Sequence, residues 1–381
     1  MMKQHINPAT LLSFVPTAPD WSIDWPGLWA LWPEFAALDD CPQDAIHHAE
    51  GDVGTHTRMV VQALVDDPDW RNLPVQDREM LFWAGCLHDI GKPATTKHED
   101  NGRITSRGHS RTSAAIARGL LRDAGAEFHW RERICAIITH HQLPFWLIER
   151  PLPERLAIAT SLTCRPDLLC LHARADALGR TCADQAAVLE NVALAREQFA
   201  EAGCLTHSYP FANAESRLAF LEREDRDPAY VAHEDFRCTV YLMSALPGTG
   251  KDTWIRNTLP DLPVVSLDAL RNTLGIAPTG NQGRVIQAAY EQAKVHLRAG
   301  QDFIWNGTNT TRLTRGKVLR LLRDYGARIH IIYLEVPPDR LLAQNNARNQ
   351  SVPRPVVENL ARKLEPPDMT EAHEITYILS T

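Results

Sequence analysis

The chain has 381 residues, enough for two or three domains at about 100–200 residues each, and its 44% hydrophobic and 23% charged content excludes disorder throughout. Its 40 basic and 47 acidic side chains leave a net charge of −7, which argues against a protein that coats nucleic acid non-specifically. The imbalance is uneven, because residues 238–381 hold 17 basic and 13 acidic side chains while the rest hold 23 and 34.

The opening Met1-Met2-Lys3-Gln4-His5 leads into no signal-like apolar stretch, and no run approaches the roughly 18–20 apolar residues of a membrane span. The cysteines Cys41, Cys86, Cys135, Cys164, Cys170, Cys182, Cys204 and Cys238 are scattered without a C-x-x-C pair. They are expected to be reduced, mostly buried thiols of a cytoplasmic protein with no membrane association. Trp21, Trp25, Trp29 and Trp32 step by four, four and three residues, which predicts one helical face packed into a core. Apolar residues at three- and four-residue spacing then predict helices over 55–65, 78–89, 110–123, 131–140 and 168–196.

Five positions among these helices carry metal-ligand chemistry: His56, the pair His88-Asp89, His109, the pair His140-His141, and Asp176. Ile90-Gly91-Lys92-Pro93 stops the apolar helix that ends in His88-Asp89. Adjacent His and Asp at a helix end can point into one cavity, and Asp89 has two oxygens with which to bridge two cations. Imidazole with carboxylate suits borderline divalent metals, and a cation that neutralises phosphate makes phosphoester hydrolysis the expected reaction. His5, His98, His129 and His172 are read as ordinary polar or core residues.

The stretches Gly51-Asp52-Val53-Gly54-Thr55-His56-Thr57, Leu87-His88-Asp89-Ile90-Gly91-Lys92-Pro93, Arg107-Gly108-His109-Ser110, Ile138-Thr139-His140-His141 and Arg174-Ala175-Asp176-Ala177-Leu178-Gly179-Arg180 resemble the HD-domain phosphohydrolase superfamily. The resemblance spans residues 45–185 and points to the branch found beside nucleotidyltransferases and polynucleotide kinases. It implies a first metal on His56, His88, Asp89 and Asp176, and a second on His109 and either His140 or His141, bridged by Asp89. His141 is favoured because Gln142 follows it. Lys92 and Arg180 are candidate phosphate contacts, or surface charges. One or two ions such as Mn, Co, Ni, Cu or Zn are the implied cofactors.

The charged stretch 222–235 separates this helical pattern from a different one. The expected organisation is an all-α domain over 1–205, a linker region over 206–237 and an α/β domain over 238–381. In that last part short apolar runs at 238–245, 264–267, 302–305 and 327–336 alternate with helical stretches at 284–298 and 316–325, which predicts a parallel sheet with crossover helices.

The first of these strands runs into Leu246-Pro247-Gly248-Thr249-Gly250-Lys251-Asp252-Thr253. Glycines let backbone N–H groups turn around phosphate oxygens, and a lysine reaches the β/γ phosphates, so Gly248, Thr249, Gly250, Lys251, Asp252 and Thr253 are the expected ATP site. The loop departs from the usual pattern in two places. Ala245 replaces the first glycine, and Asp252 stands where a hydroxyl normally binds Mg2+. Asp252 itself, a water on it, or Thr253 is left to hold that ion.

Asp268 follows the second strand, where a parallel sheet presents its active edge, and can accept a proton from an acceptor hydroxyl. The competing role is an N-cap of its helix. Arg271, three residues on, can clamp an acceptor phosphate. Arg312, Arg315, Arg340 and the segment 348–354 carry arginines that either fold over a triphosphate or form solvated helix faces. Together with Asn306-Gly307-Thr308-Asn309, these motifs resemble the kinase domain of polynucleotide 5′-kinases over 238–381. The resemblance implies Lys251 on ATP with Mg2+, Asp268 as general base, Arg271 on the nucleic-acid phosphate and Arg348 in a lid.

An HD hydrolase joined to such a kinase resembles the bacterial bifunctional end-healing enzymes of RNA and DNA repair. The expected function is a 5′-hydroxyl kinase together with a metal-dependent hydrolase of 2′,3′-cyclic phosphate or 2′-phosphate ends. RNA and DNA ends are the expected substrates, with a nucleic-acid ligase as the expected partner. Two other readings stay open: an HD nucleotidase joined to a small-molecule kinase in nucleotide metabolism, and an ATP-dependent sensor or binding module with a regulatory HD domain.

Overall fold

Prolines divide the tryptophan-rich opening in the computed structural model, which describes residues 6–277, 280–348 and 351–380. Pro26 and Pro33 begin two short helices, Trp25–Trp29 and Pro33–Asp39, and Trp21 takes a positive φ of 51°. The four tryptophans therefore share no single helical face, contrary to the prediction from spacing. They still join the core: Trp32 is buried edge-on to Trp83, and Trp21, Trp25 and Trp29 pack against the same cluster half-buried.

The chain forms two compact units that meet in sequence at Pro210 and Phe211. The first is built from the helices Val53–Asp66, Val75–Leu87, His109–Asp123, Phe128–His140, Pro166–Leu178 and Gln185–Glu201. Asp52 starts the first of these by accepting from the backbone of Thr55 at 2.7 Å. Val60, Val61 and Leu64 on that helix and Leu81, Phe82 and Trp83 on the second are fully buried in one core. Each such side chain contributes about 1.5–3 kcal/mol, so the packed faces hold the helices and the polar residues among them in place. The predicted helix over 168–196 is two helices, ending at Leu178 and restarting at Gln185. A two-stranded antiparallel pair, β1 (Lys97–His98) and β2 (Ile104–Thr105), interrupts the helical pattern.

The second unit carries a five-stranded parallel sheet of β3 (Cys238–Ala245), β4 (Val264–Ser266), β5 (Phe303–Asn306), β6 (Ala327–Glu335) and β7 (Glu374–Leu379). Their order is β4-β5-β3-β6-β7, with β3 central and almost wholly buried, as a strand covered on both faces must be. Helices Lys251–Thr258, Gln282–Ala299 and Arg312–Asp324 lie between successive strands. The carboxyl ends of β3, β4 and β5 lead into the Lys251, Asp268 and Asn306 segments, so one sheet edge gathers all three.

Residues 206–237 are not simply a linker. They include the helix Ala214–Glu222, which belongs to the second unit. Arg323 pairs with Glu215 and Glu222, and Arg217 donates to the carbonyls of Met369 and Ala372 at 2.8 and 2.9 Å. The charge density that suggested a solvated connector is here partly consumed in fixed pairs. All eight cysteines are free and seven are buried. Among the described residues no helix is long and apolar enough to cross a membrane.

Candidate metal cluster and phosphate loop

Five helix ends deliver the ligand atoms of the first unit to one point. His56 lies in the first turn of Val53–Asp66, His88-Asp89 follows Val75–Leu87, His109 starts its helix, and His141 follows Phe128–His140. Asp176 comes from the last turn of Pro166–Leu178. Gly91 lets the His109 helix approach the turn after Asp89: a Cβ there would lie 2.5 Å from the Ser113 nitrogen, and Ser113 Oγ accepts from Gly91 N at 2.9 Å. Any side chain at Gly91 would push His109 away from Asp89.

The predicted ligands form two groups, His56–His88–Asp176 and Asp89–His109–His141, each with ligand atoms within 4.8 Å of one another, and His56 also belongs to a third with His48 and Glu50. Asp89 bridges the first two. Its Oδ2 lies 3.2 Å from His88 Nε2 and 3.7 Å from His56 Nε2, and its Oδ1 lies 3.2 Å from His109 Nε2 and 3.9 Å from His141 Nε2. His56 Nε2 is 3.1 Å from Asp176 Oδ1.

The hydrogen-bond pattern tests whether divalent cations fit. Nδ1 of His56, His88, His109 and His141 each meets a backbone carbonyl, at 3.1, 2.8, 2.7 and 2.7 Å. A carbonyl only accepts, so a proton sits on each Nδ1, and each Nε2 is the atom turned into the cluster, the one a cation would take. His56 Nε2, His88 Nε2 and Asp89 Oδ1 are buried without a hydrogen-bond partner. Polar atoms thus stand unpaired in a buried space, a costly arrangement that bound cations would relieve. Burial opposes ionisation of Asp89, yet His88 and Lys92 hold its carboxyl well below the usual range. Burial likewise opposes ionisation of Asp176, and Arg180 outweighs it. Burial, reinforced by His88 and His109, pushes His141 well below the usual imidazole value and keeps it neutral. The residues fit a two-cation site.

Three sequence candidates end up elsewhere. His140 is outside the cluster, its Nε2 3.1 Å from Thr163 Oγ1, which leaves His141 as the ligand of that pair. Lys92 and Arg180 are not surface charges: Lys92 Nζ sits 2.7 Å from Asp89 Oδ2 and 2.6 Å from Gln43 Oε1. Arg180 grips both oxygens of Asp176 at 3.2 Å under the Phe145 ring. Sequence reasoning missed Glu50 and His48, which lie behind His56, and the packing of His172. His172, read as a core residue, is fully buried with ring contacts to His88 and His141 at 5.3 and 6.1 Å, and desolvation lowers it to about 3.

The phosphate loop of the second unit lies between β3 and the helix Lys251–Thr258. Gly248 and Gly250 take φ of 92° and 93°, which turns the backbone as an anion cradle requires. Desolvation lowers Lys251 to about 8 against the opposing pull of Asp252 and Asp268, and Arg348 repels it further. Asp252 accepts from Asn306 Nδ2 at 2.8 Å, whereas the Thr253 hydroxyl accepts from Arg256 at 3.3 Å. Asp268 is ion-paired with Arg271, and Arg271 also donates to Gln282 at 3.0 Å.

The cap of the Asp268 helix is Ser266, whose Oγ accepts from Ala269 N at 3.2 Å, so Asp268 does not serve as the N-cap. Arg315 is fully buried in a two-bond pair with Glu371 and is not available to a triphosphate, and Arg312 is paired with Asp368. Arg354 pairs with Glu358. Residues 349 and 350 of the expected lid segment lie outside the described residues.

Comparison with known proteins agrees with this division. Residues 53–179 match the model of the HD domain, and residues 240–367 match that of an AAA domain. A curated Teredinibacter turnerae protein named multifunctional CCA protein is 30% identical over 157 residues, which cover 40% of this chain and 35% of that protein. A protein of the same name from Pseudomonas fluorescens is 37% identical over 98 residues, 26% of this chain and 21% of the relative. The matches thus span about a third or less of the length of these relatives. The chain is an HD-superfamily domain joined to an AAA-type, kinase-like P-loop domain.

Proposed function

We propose that the protein heals broken nucleic-acid ends, acting first on RNA termini and also on DNA 5′ ends. One observation carries the reading: Asp268, ion-paired with Arg271, follows β4 at the sheet edge where β3 leads into the Lys251 loop, and its charge is felt at Lys251. Lys251 and the loop N–H groups bind the β/γ phosphates, with Asp252, steadied by Asn306, placed for Mg2+. As the 5′-hydroxyl oxygen attacks the γ-phosphorus and ADP leaves, Asp268 takes the hydroxyl proton. Arg271 exchanges its present partners for a phosphate of the acceptor strand, which a free nucleoside does not offer.

The HD half would hold divalent ions on His56, His88, Asp176, Asp89, His109 and His141. Such ions supply the charge neutralisation and Lewis acidity that phosphoester hydrolysis needs. Arg180 and Lys92 keep Asp176 and Asp89 ionised and oriented. Hydrolysis of a 2′,3′-cyclic phosphate or 2′-phosphate combined with 5′ phosphorylation yields the two ends a ligase joins.

The test offers ATP, Mg2+ and Mn2+ with oligonucleotides bearing 5′-hydroxyl and 2′,3′-cyclic phosphate ends, and examines both termini. Conversion of both supports the proposal. Preferential phosphorylation of free nucleosides or nucleotides would move the protein to nucleotide metabolism, and conversion of neither substrate class would favour a sensor.

A further inference from the structure

Three cluster histidines lean through Nδ1 on backbone carbonyls alone, and His56 differs. Its Nδ1 lies 3.1 Å from the Gly179 carbonyl and also 3.1 Å from Oε1 of Glu50. The Glu50 side chain is 2% exposed. Oε1 also accepts from His48 Nδ1 at 2.8 Å, and Oε2 accepts from the Thr181 amide at 2.8 Å. The carboxylate is therefore fixed between two imidazoles and an amide, behind the ring whose Nε2 faces Asp176. A carboxylate on one imidazole nitrogen makes the other a better metal donor than a neutral carbonyl does.

The charges of the two ligand groups are also unequal. Arg180 offsets Asp176, and Lys92 offsets the shared Asp89, whereas Glu50 has imidazole and amide partners. Its negative charge remains on the His56 side. The other group adds only His109 and His141, whose Nε2 atoms sit 3.3 Å apart. No second carboxylate backs these two rings.

We propose that Glu50 is a positioning residue that makes His56–His88–Asp176 the tighter metal sub-site, so that it fills before Asp89–His109–His141. The inference rests on the reading that the HD half binds divalent ions.

The probe is Mn2+, titrated into the metal-free full chain while the EPR signal of the free ion is followed. Wild type is expected to show two binding events separated by about tenfold or more, and Glu50→Gln to weaken the tighter by about 10–100-fold with little change in the other. His56→Ala should remove the tighter event and His109→Ala the weaker, which identifies the events without relying on the Glu50 variant. A structural defect would instead weaken both events together with the melting temperature. Loss of the tighter event in His109→Ala overturns the proposal. So does a Glu50→Gln protein that melts like wild type and keeps both constants. A wild-type protein that binds a single ion overturns the order while sparing the metal reading. Absence of any Mn2+ binding overturns both.

Discussion

The two sites differ in what their side chains do before a ligand arrives. In the HD unit every ligand atom is buried and aimed, each imidazole is fixed from behind, and three polar atoms are buried without hydrogen-bond partners. In the P-loop unit the working side chains are satisfied by one another: Asp268 by Arg271, Asp252 by Asn306. A metal site must hold its donors in place against their mutual repulsion, which takes a packed core. A phosphate site uses backbone N–H groups for the main contact, so its side chains can pair locally and exchange partners when substrate binds. The first arrangement should be intolerant of substitution and metal loss, the second graded in its response.

The largest expected effect separates the two sites. Asp89→Ala removes the bridging carboxylate and should lower phosphoester hydrolysis by about three orders of magnitude, because cation stabilisation is worth several kcal/mol. Its 5′ phosphorylation should stay near wild type. Lys251→Ala should show the reverse, with both activities followed on one doubly end-labelled oligonucleotide. A folded variant that loses both would break the comparison.

Metal removal sharpens it. After chelation, hydrolysis should return with Mn, Co, Ni, Cu or Zn, whereas phosphorylation should need only Mg2+. The four cluster imidazoles are nitrogen donors, which oxygen-seeking magnesium binds poorly. Full recovery of hydrolysis with magnesium alone would count against His56, His88, His109 and His141 as ligands.

A graded response is expected at Arg271. Arg271→Ala should cost about 1.5–3 kcal/mol, roughly ten- to a hundredfold in kcat/KM, for oligonucleotides carrying the phosphate it grips. For a nucleoside lacking that phosphate the change should be far smaller. Equal losses on both acceptors would make Arg271 a structural residue.

Lys251 gives the P-loop site a pH signature of its own. In the free protein it titrates at about 8 in place of 10.5, and bound phosphates should raise it again. Between those values ATP binding takes up a proton, so affinity should fall with rising pH by up to about tenfold per unit. Below pH 8 the lysine is already charged and its contribution is flat. Calorimetry in buffers of different ionisation heat reads the uptake at pH 9, and binding with no uptake there would contradict the shift.

Much of both sites is legible in the residues themselves, for identifiable reasons. His56, His88, Asp89, His109 and Asp176 announce themselves by ligand chemistry at the ends of apolar-spaced helices, and Gly248, Gly250 and Lys251 by a strand-loop-helix context. Spacing cannot choose between His140 and His141, because both end the same helix; the turn of that helix sends one to Thr163 and the other to the cluster. Glu50 carries no periodic signal. It sits outside the regular helices and reaches the site through the Thr181 amide, 131 residues away. Strand β7 is half-exposed at the sheet edge and lacks the apolar run of β3. The helix Ala214–Glu222 is masked by charges whose partners, such as Arg323, lie far along the chain.

The smallest expected effect decides what Asp268 is for. Its side chain is 75% exposed, and its helix is already capped by Ser266. Asp268→Asn should therefore change stability by less than about 0.5 kcal/mol, as surface substitutions usually do, while Ser266→Ala should cost about 1 kcal/mol. The amide cannot accept the acceptor proton, so kcat on a 5′-hydroxyl oligonucleotide at saturating ATP should fall with ATP affinity retained. Denaturant melts of both variants beside that assay separate the roles. A stability loss in Asp268→Asn matching that of Ser266→Ala would return Asp268 to helix capping. Wild-type kcat at unchanged stability would remove it as the general base and leave the loop of Lys251 as an ATP site without a named acceptor chemistry.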